Sequence, residues 1–90
     1  MLIAEVIGTV VATQKHEALV GAKIQVVQAL DPRTQKPAGS PIIAIDAVGA
    51  GRGEKVIVTT GSNASKAVAK ENCPVDATIV GIIDQLDIVD

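Results

Sequence analysis

The sequence predicts an all-β fold, a small five-stranded barrel with one short helix, in a single domain over residues 1–90. Three observations lead there. Hydrophobic residues make up 48% of the chain while Phe, Tyr and Trp are absent, so a core must be built from Val, Ile, Ala and a few Leu, a strand-rich composition. Five short stretches alternate apolar and polar residues between turn-forming ones. Glycines interrupt two of those stretches without ending them, as happens where a strand bends round a barrel corner.

The first strand is expected over residues 2–13, with Glu5 and Thr9 on one face, Leu2, Val6 and Val10 on the other, and a bulge or bend at Gly8. Residues 14–21 are more polar and contain Lys15-His16-Glu17, a loop. The second strand follows over residues 23–30. Residues 31–41 hold Pro32, Pro37 and Pro41 and most of the local charge, which predicts an exposed connection whose tip tolerates insertion.

Residues 42–48 read as the third strand. Residues 55–60 read as the fourth, with Val56, Val58 and Thr60 on one face and Lys55, Ile57 and Thr59 on the other; a glycine-rich turn lies between the two. A helix is expected over residues 62–70, with Ser62 as N-cap and Lys70 near the end where the helix dipole favours a cation. Pro74 starts an extended stretch, and residues 77–89 form the fifth strand with a second bend at Gly81. Five short strands and a helix suggest a partly open barrel.

A chain of 90 residues buries only about 60 to 65% of the surface exposed when unfolded, so burial between subunits is the expected supplement to its stability. A net charge of -2 without a Lys or Arg cluster gives no long-range attraction for nucleic acid or membranes. Cys73, the single cysteine, excludes an intrachain disulfide and a Cys-based zinc cage and fits a reducing cytosol. The N-terminus lacks a basic stretch followed by a continuous apolar run, and no stretch reaches membrane-spanning length; the expectation is that the chain stays in the cytoplasm.

Residues 49–54, Gly-Ala-Gly-Arg-Gly-Glu, resemble a phosphate cradle at first sight. A dinucleotide site needs a third glycine where Glu54 stands and a helix where a strand follows, so the plainer reading is a tight connection whose glycines take positive φ or let backbones pass closely. If Gly51 is one that takes positive φ, Gly51→Val strains the turn and weakens assembly. Asp46, Glu54, Asp76 and Asp84 form no catalytic spacing and read as solvated strand ends. His16 has no Cys, Ser or Asp arrangement around it that makes a triad base or a metal ligand. No catalytic residue, cofactor or metal site is therefore expected. Single-stranded nucleic acid binding uses stacking aromatics and a basic groove, and the sequence supplies neither.

Residues 6–15, Val-Ile-Gly-Thr-Val-Val-Ala-Thr-Gln-Lys, resemble the start of the bacterial microcompartment vertex proteins of carboxysomes and of ethanolamine- and propanediol-type metabolosomes. The likeness continues through Leu19, Gly21 and Lys23, residues 46–56, residues 61–64, residues 74–77 and residues 81–84, in order along nearly the whole chain. Ser65 departs from it, standing where many members carry a basic residue.

The resemblance implies an oligonucleotide-binding-like (OB-like) barrel used as a structural, non-enzymatic subunit. It implies a homopentamer that caps the vertices of a cytoplasmic shell beside hexameric shell proteins, without cofactor, nucleic acid or membrane. It further implies that Thr13, Lys15, Gly49, Ala50, Gly51, Glu54, Gly61 and Ser62 shape subunit contacts or the ring axis. The rival reading is a small OB-like barrel that binds a ligand or nucleic acid, which predicts salt-sensitive retention on an oligonucleotide or phosphate column.

Overall fold

The computed structural model describes residues 1–12, 17–61 and 76–88. Five strands follow in chain order: β1 (Leu2–Val10), β2 (Lys23–Ala29), β3 (Ile42–Asp46), β4 (Lys55–Thr60) and β5 (Ala77–Ile82), with one 3-10 turn at Glu17–Leu19 in the stretch expected to be loop. The expected helix over residues 62–70 lies outside the described residues.

The strands close in the order β1-β2-β3-β5-β4 and back to β1. The barrel is thus closed, where the strand count alone suggested a partly open one. Four seams are antiparallel, while β3 and β5 pair in parallel through Ile45–Thr78 and Asp46–Ile79. Closure gives each of the five strands two neighbours around the ring.

Four strands are shorter than expected, each for a local reason. The last β1–β2 pair is Val10–Ile24, after which Val11 has no partner strand and stands exposed. β3 stops at Asp46, whose own side chain accepts hydrogen bonds from the next backbone amides and turns the chain. β5 ends at Ile82, opposite Val56, with Ile83 N–H still donating to the Lys55 carbonyl at 2.8 Å. Along β2, pairing reaches Ala29; Leu30 then makes a single bridge to Pro37.

The core consists of small residues. Ala4, Val6, Val27, Ala44, Ala50, Val56, Val58, Ala77 and Ile79 form one buried cluster, with Leu2 and Ile42 packed against it. Two irregularities shape its wall. In β1 the register shifts between Val6 and Gly8, leaving Ile7 as an extra residue, and the bulge exchanges the faces beyond it. Val6 opposes Val27 inside the barrel, but Thr9, not Val10, opposes the inward Gln25. The simple alternation expected to keep Glu5 and Thr9 on one face therefore fails at this bulge. The second shift lies between the pairs Ile57–Gly81 and Val58–Ile79, next to the glycine expected to bend β5.

The connection over residues 31–41 is exposed throughout, as expected, yet it holds a defined shape. Asp31 Oδ1 accepts the amides of Arg33 and Thr34, Asp31 N–H donates to the Lys36 carbonyl, and Gln35 N–H donates to the Asp31 carbonyl. Gln35 takes φ of 57°, and its Oε1 accepts from Lys55 Nζ, which ties this arm to β4.

Candidate functional site

The loop joining β3 to β4 is organised by one carboxylate. Asp46 ends β3 with its side chain fully buried; Oδ1 accepts the Val48 and Gly49 amides at 2.9 and 2.8 Å, and Oδ2 accepts the Ala50 amide at 2.8 Å. Lys23 Nζ stands 3.9 Å from Oδ2 and donates to the Ala50 carbonyl at 3.1 Å. Burial by itself raises the pKa of this carboxyl, but the hydrogen bonds from Val48, Gly49, Gln25 and Ala50 outweigh it and hold the group below its ordinary 3.8. Asp46 is thus a structural anion, not the solvated strand end expected from its position.

Gln25 completes the arrangement. On the inner face of β2 and almost wholly buried, it donates through Nε2 to the Ala50 carbonyl at 2.8 Å and to Asp46 Oδ2 at 3.1 Å, and accepts from Thr9 Oγ1 at 2.9 Å. The chain of bonds from Thr9 to Asp46 connects the β1 bulge, β2, β3 and the loop. Among the described residues, no buried side-chain nitrogen or oxygen lacks a partner, as a stable polar network requires.

The remaining loop residues dock on β1. Val6 N–H donates to the Glu54 carbonyl at 3.0 Å, and Gly53 N–H donates to the Val6 carbonyl at 2.8 Å. Glu54 Oε1 accepts the Gly51 amide at 2.6 Å. Four successive amides, from Val48 to Gly51, therefore point at carboxylates of this same chain. The apparent phosphate cradle is already filled by Asp46 and Glu54.

Of the expected site residues, Gly49, Ala50, Gly51 and Glu54 come together in this loop. Ala50 is buried in the core and Glu54 is exposed. Gly61 lies at the far end of β4, its N–H bonded to the Asp76 carbonyl at 2.9 Å, a strand length of about 20 Å away. Thr13, Lys15 and Ser62 lie outside the described residues, as do His16 and Cys73. The sequence reading missed Gln25, Lys23 and Thr9. The available signal was an amide two residues before Val27, on the same face of the strand, which marks a buried polar group once the inner face is known. Among the described residues no three His, Cys, Asp or Glu side chains gather as metal ligands.

The family model described as ethanolamine utilisation protein EutN/carboxysome matches residues 1–84. The chain belongs to the EutN/CcmL family. It is 46% identical over 91 residues to the bacterial microcompartment shell vertex protein GrpN of Rhodospirillum rubrum, covering 99% of each chain. It is 40% identical over 86 residues to the shell vertex protein EutN of Escherichia coli K12, covering 96% of this chain and 90% of that one. The solved structure of the GrpN pentameric microcompartment shell protein superposes with a TM-score of 0.89 at 44% identity, over 99% of this chain and all of that one.

In this EutN/CcmL chain the glycines of the loop have separate reasons. Gly49 and Gly53 take positive φ, 82° and 89°, whereas Gly51 does not, so the condition for strain at Gly51 is not met. A Cβ on Gly51 would instead meet Glu54 Oε1 at 3.2 Å, and a Cβ on Gly53 meets nothing within 4 Å. Gly53→Val is therefore expected to cost about 1 to 2 kcal/mol through left-handed backbone strain alone. Gly51→Ala is expected to cost under about 1 kcal/mol, because the end of the Glu54 side chain can shift. Urea denaturation of both variants checks this, and a Gly51→Ala loss larger than that of Gly53→Val contradicts it.

Proposed function

We propose that this chain is a non-catalytic structural subunit that closes into a cyclic pentamer and caps the vertices of a bacterial microcompartment shell in the cytoplasm, seated among hexameric shell proteins. The observation that carries the reading is the end-to-end likeness to a protein solved as a pentameric microcompartment shell protein. A layer tiled by six-fold units alone stays flat. Five-fold units at the corners supply the curvature that closes it.

The physics of the isolated subunit supports this. A five-fold ring is built head to tail, each subunit meeting the next through a different surface. Val11, Val20 and Ile43 are well exposed and lie just past β1, in the turn before β2, and in β3, so uncovered apolar surface is not confined to one side. A standard interface covers about 800 Å² per partner, a large fraction of so small a subunit, and couples its stability to assembly. The rival ligand- or nucleic-acid-binding reading finds less support, since the loop's amides are filled by Asp46 and Glu54 and no aromatic side chain is available for stacking.

The test is the assembled mass by native mass spectrometry, or by light scattering with refractive-index detection because the chain lacks Trp and Tyr. Five copies of the 9.2 kDa chain are expected, about 46 kDa. A species that stays monomeric or dimeric at all concentrations, alone and with shell partners, removes the pentamer reading.

A further inference from the structure

We draw no further inference here: the strongest candidate, the apolar groove that Met1, Ile3, Pro32, Ile57, Ile83 and Leu86 line where the connection over residues 31–41 and the segment after β5 meet β1 and β4, is an unpartnered apolar face, and nothing in the structure shows what covers it.

Discussion

Replacing Asp46 by alanine is expected to lower the stability of the folded chain by about 3 to 4 kcal/mol, because hydrogen bonds to an ionised acceptor are worth about 1.5 to 3 kcal/mol each but do not add when they share one group. The carboxylate accepts three consecutive backbone amides and the Gln25 amide, all in a site without water access to the side chain. Alanine removes this acceptor from all four donors, of which Gln25 keeps the Ala50 carbonyl and the exposed Val48 and Gly49 amides can turn to water. For a domain of this size the melting temperature should fall by about 12 to 30 °C, compared at equal protein concentration because assembly shifts apparent stability. Asp46→Asn keeps one acceptor oxygen but turns an NH2 group toward existing donors, so an intermediate loss of about 2 kcal/mol is expected.

The same site predicts a pH dependence with a definite sign. The folded pKa of Asp46 is lowered, so its contribution is fully present above the unfolded carboxyl value of about 3.9 and disappears as pH falls through the lower folded value. Denaturant titrations from about pH 5 to about pH 2 should show a component of acid destabilisation in the wild type that is absent from Asp46→Asn. An unchanged melting temperature in Asp46→Ala, or identical acid profiles for wild type and Asp46→Asn, would contradict the role assigned to this carboxylate.

Ile79→Ala is expected to cost about 4 kcal/mol, in the upper part of the range for truncating a buried aliphatic side chain. Ile79 is the largest of the fully buried side chains among the described residues and sits in β5, paired with Val58 on one side and with Asp46 of β3 on the other. Its neighbours in the core are valines and alanines, which are too short to refill the space, and hydrogen bonding around the closed barrel resists collapse of the wall. Ile79→Val removes one methylene and should cost only about 1 kcal/mol. Against the 5 to 15 kcal/mol typical of a whole domain, the alanine variant should populate unfolded chains measurably, and chemical denaturation of both variants reads the difference. Equal losses for alanine and valine would mean that the site relaxes freely.

Much of the fold was legible along the chain because strand identity is a local property. β-branched residues in alternation mark β2 and β4 directly, and β4 has the bounds its pattern predicts. The glycines that interrupt β1 and β5 lie next to the two register shifts. The family resemblance, carried by residues spread over nearly the whole chain, is matched by the family model over residues 1–84.

The candidate site was less legible, and Gln25 illustrates the reason. That it shares the inner face of β2 with Val27 is visible only once the inside of the barrel is known, the extra residue Ile7 decides that Thr9 is the β1 residue opposite it, and its partners lie 16 to 25 residues away along the chain. Asp46 likewise looks like any acidic residue at the end of a strand. Its burial depends on how the following loop folds back over it.

By itself, then, the sequence determined the strand content, the glycine breaks, the aromatic-free core composition and the family. Only the tertiary structure decided that the barrel closes through a parallel β3–β5 seam, that Thr9 rather than Val10 lies opposite Gln25 and bonds to it, and that Asp46 and Glu54 fill the loop's own amides. The division follows from range. Backbone preference and side-chain periodicity act between near neighbours, whereas barrel closure, bulge register and buried hydrogen bonding are set by groups that meet only when distant segments pack together.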